Sequence, residues 1–432
     1  MVLIGSGDLA DETEKALEAS GASVKRLSEP EEHEVQEAVR AADVHSVAVV
    51  ERSDAVVLRM ALMVRSTSAE VPLLLTIFEP TMAEQVSREV HNTHVTSLAD
   101  IVAPSLAGPC IDERFTAVSL DGDEPVGLVG EEGEVSEEPL PKSRPRRAEA
   151  YARALFTPFD KSAGLLLFGA IGLVAIFALE TVTAMFVLDE KFVDAFYGSA
   201  KTLVTVDPNP GVAEGPSWYK IFTSLTMVAA LVFVAGFTAG LVNRVVDQRL
   251  TGLFGRNAVP RRDHVVVIGL GEVGLRLALL LRACRIPVVA VEENSDGENV
   301  GLARECDLPV VIGRGSDPSL VRRLSLPHAR AVAAVTADDL ANISAAMAAR
   351  SVDGDIRVVL RVGDGEVANE TRSLLALGLV RDVHRIAAAL LAAKATGADA
   401  ESVLCLGDDA HLRFPDGRLE QVKLETLAGS GD

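Results

Sequence analysis

Short apolar runs alternate with amphipathic stretches over the first hundred residues. Val2-Leu3-Ile4, Ala22–Leu27, Ser46–Val50 and Val71–Ile77 have strand character, while Asp8–Ala19, Asp54–Arg65 and Met82–Val90 have helical spacing. This alternation predicts a parallel sheet with helices on both faces over residues 1–109. The rhythm returns at His264–Ile268, Pro287–Val291, Pro309–Ile312, Ala331–Val335 and Arg357–Val362, predicting a second such sheet over 263–397. Between the two the pattern changes. Residues 163–179 carry no charge. With 181–188 they would exceed ~30 Å as a helix rising about 1.5 Å per residue. Ile221–Val242 is a second uncharged run of similar length. These runs predict a two-span transmembrane unit over 149–250, with Val193–Val204 as a short re-entrant helix between the spans. The predicted class is α/β plus membrane α: two Rossmann-like doubly wound domains flanking a two-helix membrane unit.

The remaining stretches read as connections. Residues 110–148 are an acidic and then basic linker rich in Gly and Pro, with room for a short strand near Phe115–Leu120. Residues 251–262 are a basic connector, and 398–432 a short β tail turning at Pro415-Asp416-Gly417-Arg418.

Charge adds orientation. Arg144, Arg146, Arg147, Arg153 and Lys161 precede the first span, and Arg244, Arg249, Arg256, Arg261 and Arg262 follow the second. The loop between holds Asp189, Glu190, Asp194, Asp207 and Glu214 against Lys191, Lys201 and Lys220. The positive-inside rule therefore predicts a multi-pass protein of the plasma membrane with both termini cytoplasmic. Trp218 and Tyr219 stand where an interfacial aromatic anchor is expected among the membrane lipid. Val2–Ile4 is too short for the core of a secretory signal. A net charge of −21 argues against general nucleic-acid binding. The four cysteines lie far apart without C-x-x-C spacing, against a disulfide framework or a zinc site, and His411 stands alone.

The candidate chemistry lies in two glycine turns. In Gly269-Leu270-Gly271-Glu272-Val273-Gly274, directly after a strand and opening a helix, Gly269 makes the turn and Gly271 lets the backbone approach a pyrophosphate. Gly274 lets the helix pack on the strand. Glu292, about 20 residues on, suits a ribose 2′-hydroxyl and disfavours a 2′-phosphate, so NAD(H) or an adenine nucleotide (ATP or ADP) fits better than NADP. The earlier turn, Gly5-Ser6-Gly7-Asp8-Leu9-Ala10, carries Asp8 inside it, and Lys25-Arg26 stand where a ribose-binding acid is expected. It reads as a Rossmann-like turn kept for packing.

Residues 263 to about 393 resemble the RCK domain (regulator of K+ conductance, TrkA-N type), and the first domain resembles a shortened relative. The resemblance rests on the glycine turn, Glu292, Gly313-Arg314-Gly315 and Thr336-Ala337-Asp338-Asp339. The family has Gly-Asp-Ala where Arg314 stands, which puts a positive charge beside the phosphates. The resemblance implies nucleotide-dependent control of flux rather than hydride transfer. The implied contacts are Gly269, Gly271, Glu272, Val273, Gly274, Glu292, Arg314 and Thr336.

Two spans enclosing a short helix, then a Thr-x-x-Thr-Val run, resemble the two-helix pore of the potassium-channel superfamily. The matching residues are Ala195-Phe196-Tyr197, Thr202, Thr205 and Val206, with Gly236 and Gly240 in the second span and Glu180 late in the first. The family continues Gly-Tyr-Gly-Asp where this chain has Asp207-Pro208-Asn209-Pro210. Proline cannot supply the alternating conformations of a carbonyl-lined filter. Asp207 either makes a carboxylate ring around a symmetry axis or caps an outer turn. Gly236 and Gly240 serve as a hinge or as a close-packing face. Two spans cannot enclose an aqueous path alone, so a pore for monovalent cations requires symmetric assembly, expected as a homotetramer. The expected function is a nucleotide-regulated cation channel or transport protein. The alternatives are a non-conducting membrane sensor or transporter subunit and, last, a membrane-tethered NAD-dependent oxidoreductase, for which no catalytic constellation is apparent.

Overall fold

Runs of three or four residues build the strands of the first sheet. β1 (Val2–Gly5), β2 (Lys25–Leu27), β3 (Val47–Val50), β4 (Leu73–Thr76) and β5 (Thr93–Thr96) form an all-parallel sheet in the order β2-β1-β3-β4-β5. β1, β3 and β4 are buried along their whole length, as strands covered on both faces must be. The helices between them are α1 (Asp8–Ala19), α2 (Glu32–Arg40), α3 (Asp54–Thr67) and α4 (Pro80–Glu89), and α5 (Leu98–Ile111) follows β5. A computed structural model describes residues 1–41, 44–120, 124–131, 134–141, 161–203, 209–246, 260, 262–363, 365–374, 377–406 and 409–422.

The expected linker is partly folded. β6 (Ala117–Ser119), β7 (Val126–Glu131) and β8 (Glu134–Pro139) make a three-stranded antiparallel sheet. Its acidic strands hide the pattern in sequence, but Ala117 and Leu128 are buried with Leu404.

The membrane-type unit comprises α6 (Lys161–Val187), α7 (Phe192–Leu203) and α8 (Ser217–Val246). Leu166–Val187 and Ser217–Val242 are long and apolar enough to cross a membrane. Phe168, Val174, Phe186, Ile221, Leu225 and Val228 are exposed, so large apolar side chains face outward rather than into a core. The two long helices meet through small residues. A Cβ on Gly169 would lie 2.9 Å from the Phe237 side chain, and one on Gly172 only 2.2 Å from that of Phe233. Gly236 and Gly240, which the sequence offers as a hinge or a close-packing face, are half-buried and buried on α8; the glycines pressed against Phe233 and Phe237 lie on α6.

The chain then builds a second parallel sheet from β9 (Val265–Ile268), β10 (Val288–Glu292), β11 (Val310–Ile312), β12 (Ala331–Ala334), β13 (Arg357–Val362) and β14 (Leu379–Asp382). Their order is β11-β10-β9-β12-β13-β14. The connecting helices are α9 (Glu272–Ala283), α10 (Glu298–Glu305), α11 (Pro318–Arg323), α12 (Asp339–Val352) and α13 (Gly365–Leu374). A buried helix, α14 (Val383–Ala395), follows, and then a sheet of β15 (Ser402–Leu406), β16 (Asp409–Arg413) and β17 (Leu419–Gln421). The expected Pro415–Arg418 turn joins the last two strands.

Each half thus reads sheet, buried helix, small antiparallel sheet, and the two halves exchange their helices. α5 packs on α9 of the second half, and α14 packs on α1 of the first. Arg276 pairs with Asp100 at 2.8 Å, and Ser46 Oγ donates to the Ala395 carbonyl at 2.8 Å. One apolar core contains Leu3, Leu17, Leu106, Leu277 and Leu391 together. Residues 1–144 and 259–432 accordingly form one compact unit, and 145–258 another.

His264 enters this body just before β9. It is fully buried, its Nε2 lies 3.0 Å from the Leu324 carbonyl, and its Nδ1 has no partner among the described residues. Burial pushes its pKa down to about 4. The unfolded chain therefore binds a proton that the folded chain refuses, and stability falls as pH drops below the ordinary histidine value towards 4. The expected loss is about 2 kcal/mol between pH 7 and pH 5. Unfolding midpoints of wild type and His264→Phe across that range test it: the variant should lose less on acidification, and parallel curves would refute the assignment.

Candidate nucleotide site

The second glycine turn sits at the carboxyl ends of β9 and β10, where open parallel sheets bind ligands. Gly269 has φ +94°, and a Cβ there would lie 2.6 Å from Thr336 Cγ2. At Gly274 a Cβ would stand 2.0 Å from the Gly269 carbonyl oxygen. A Cβ on Gly271 meets nothing within 4 Å. Two glycines are thus fixed by packing, and the third fronts open space at the start of α9. That is the arrangement in which backbone N–H groups and the helix dipole can hold a pyrophosphate.

Glu292 closes the turn. One carboxylate oxygen accepts from Leu270 N at 2.8 Å and the other from Asn294 N at 3.1 Å. Asn299 Nδ2 donates to the Leu270 carbonyl at 3.2 Å, so the turn is held from both sides. The residues present fit an adenine dinucleotide or mononucleotide. The α9 amides would take the phosphates and Glu292 the ribose, and the bound nucleotide would supply a regulatory charge.

Other expected contacts stand elsewhere. Val273 is a core side chain, leaving only its backbone for a ligand. Arg314 pairs with Glu293 through Nε at 2.6 Å rather than standing free beside the phosphates. Thr336 supports the turn: its N and Oγ1 both donate to Asn342 Oδ1 at 2.8 Å. Sequence reasoning missed Asn342, fully buried in α12, whose Nδ2 also donates to the Thr336 and Arg361 carbonyls. A lone Asn inside an Ala-rich helix was the available signal.

Glu272 is half-buried. Burial raises its pKa, Asp54 and Glu298 push the same way, and Arg52 and Arg361 oppose them. A raised carboxyl pKa means the cost of its charge grows as pH rises past the ordinary carboxylate range. Nucleotide affinity is expected to fall over that rise in wild type and to stay flatter in Glu272→Gln; equal slopes in titration calorimetry would refute this.

The first glycine turn is occupied by its own neighbours. Arg26 pairs with Glu14 at 2.9 Å and with Asp11, and its Nε donates to the Gly5 carbonyl at 3.4 Å. Ser6 Oγ donates to Glu51 at 2.9 Å. Calorimetry is therefore expected to give one nucleotide per chain; two would show that the first turn also binds.

In the membrane-type unit, Glu180 is buried and accepts a hydrogen bond from Thr226 Oγ1, tying α6 to α8. Thr202 is buried in α7 with its hydroxyl on the Gly198 carbonyl at 3.1 Å. Asn209 Nδ2 donates to Glu190 at 2.8 Å, and Asn209 Oδ1 accepts from Gly211 N at 3.2 Å. Thr205, Val206, Asp207 and Pro208 lie outside the described residues. Trp218 is exposed as an anchor would be, but Tyr219 is fully buried, its ring 5.9 Å from that of Phe222.

The TrkA-N domain family matches residues 265–380. Potassium channel protein 1 of Methanocaldococcus jannaschii is 20% identical over 205 residues, covering 45% of this chain and 59% of that protein. The voltage-gated potassium channel Kch of Escherichia coli is 22% identical over 187 residues, covering 42% and 45%. The chain thus spans about half the length of these relatives. The GsuK channel structure aligns over 91% of this chain and 63% of its own, with TM-score 0.52 and 16% identity. Its NAD-bound form gives 0.50 and 14% over the same shares. At such identity the likeness is one of fold. Residues 265–380 thus match the TrkA-N domain family, in a chain whose fold resembles that of the GsuK channel structures.

Proposed function

We propose that this protein is a nucleotide-regulated cation channel or transport protein, in which NAD(H) or an adenine nucleotide held at Gly269–Gly274 controls a membrane unit assembled as a homotetramer. The observation that carries the reading is the open glycine turn in a body that shares one core with residues on both sides of two membrane-length helices. The relatives named as potassium channels and the NAD-bound GsuK structure support it. A segment that leaves and re-enters one compact body crosses a bilayer an even number of times. That supports two spans with both termini on one side, and the basic flanks favour the cytoplasmic side. Leu62 on α3 and Leu340 and Met347 on α12 are exposed apolar side chains that suit contacts between copies. Control requires that nucleotide bind open and closed states with different affinity.

Planar-bilayer recording of the purified protein is the test. Current that changes with NAD(H), ADP or ATP supports the reading. A protein that binds nucleotide without current is the non-conducting sensor. The commitment of Asn209 to Glu190 and Gly211, beside a Pro-containing filter segment, favours that second reading.

A further inference from the structure

A cavity lies at the amino ends of three strands of the first sheet. Its volume is about 380 Å³, and it is bounded by the starts of β3, β4 and β5 and by the last turn of α14. That size suits a small organic or inorganic ligand. Its walls come from both halves, because α14 belongs to the second half and the strands to the first. Ser46 Oγ, hydrogen-bonded to the Ala395 carbonyl, pins the two walls together.

Its charge is one-sided. Lys394 and His94 both line it, with Asn92 and Thr93 beside them. Lys394 is half-buried, and its ammonium has no hydrogen bond or ion pair among the described residues. Burial and the Lys394 ammonium hold the His94 imidazole below its usual pKa, so the two cation-forming groups lie within electrostatic reach. Among the described residues, no Asp or Glu lines the cavity. In a chain with 62 acidic residues against 41 basic ones, a polar recess walled by a lysine and a histidine is out of keeping with the surface around it. A lysine with no counter-charge among the described residues, facing a recess with amide and hydroxyl groups, is the equipment for binding an oxyanion.

We propose that this recess binds a small carboxylate- or phosphate-bearing anion, with Lys394 as its principal charge contact, clamping α14 of the second half onto the sheet of the first. The anion binds the docked halves and not their separated state, so it stabilises the docked arrangement by mass action.

The test uses full-length protein carrying Gly271→Asp, so that the nucleotide turn contributes no phosphate binding. Thermal unfolding is followed with inorganic phosphate, with citrate and with sodium chloride at matched ionic strength. The expected result is a rise in midpoint with phosphate or citrate beyond that with chloride; which of the two acts more strongly identifies the anion class. Lys394→Met is expected to weaken the response about tenfold in anion concentration, and Lys394→Arg to retain it. Equal responses in wild-type Lys394 and Lys394→Met proteins, or no response beyond chloride in either, would overturn the proposal.

Discussion

Replacing Gly271 with aspartate is expected to weaken NAD(H) and adenine-nucleotide binding about a hundredfold while leaving the unfolding midpoint nearly unchanged. A Cβ at this position meets nothing, so the side chain adds no clash. Gly271 is also the N-cap of α9 with extended backbone, a position that aspartate favours. The fold thus tolerates the substitution. The ligand does not, because a carboxylate is placed where a pyrophosphate would approach. Two like charges about 4 Å apart repel by about 4 kcal/mol at an effective dielectric of 20, and screening reduces this to the smaller figure expected. Calorimetry showing unchanged affinity would remove the site from the turn.

Gly274→Val is expected to do the reverse, costing about 4 kcal/mol or more of stability. Its Cβ would overlap the Gly269 carbonyl oxygen at 2.0 Å and crowd Val335 at 3.3 Å. The first contact is backbone, so relief requires α9 to lift from β9. Because α9 also packs on α5, the damage extends into the first half. Wild-type-like unfolding of this variant would mean that the helix lies farther from the strand than described. The pair separates two functions of one motif: Gly271 leaves room for a ligand, and Gly274 lets the helix seat.

Much of this is legible in the sequence. Most strands of both parallel sheets are apolar runs too short for helices, and the second glycine turn has a strand before it and a helix after it; β5 and β14, which mix polar with apolar residues, carry no such signal. What escaped was set by distant partners. α5 carries Pro104 and Pro109 within a helix buried nearly throughout, where propensity argues against a helix and packing overrides it. β7 and β8 carry Glu131, Glu134, Glu137 and Glu138, so that stretch reads as linker until Leu404 covers Leu128. Arg314 was expected near phosphate because sequence shows its charge and not Glu293 beside it. Asn342 matters through three backbone atoms on two other segments, which no local pattern records.

The exchange of α5 and α14 sets an order of events during synthesis. The bond from Ser46 to Ala395 joins residues 349 apart, and α1 waits for a helix that leaves the ribosome only after both long apolar helices have been made. For that interval the nascent first half holds Leu3 and Leu17 without their final cover. Its maturation is bound to the completion of the whole polypeptide, and a premature stop before α14 leaves a fragment whose apolar face lacks that cover.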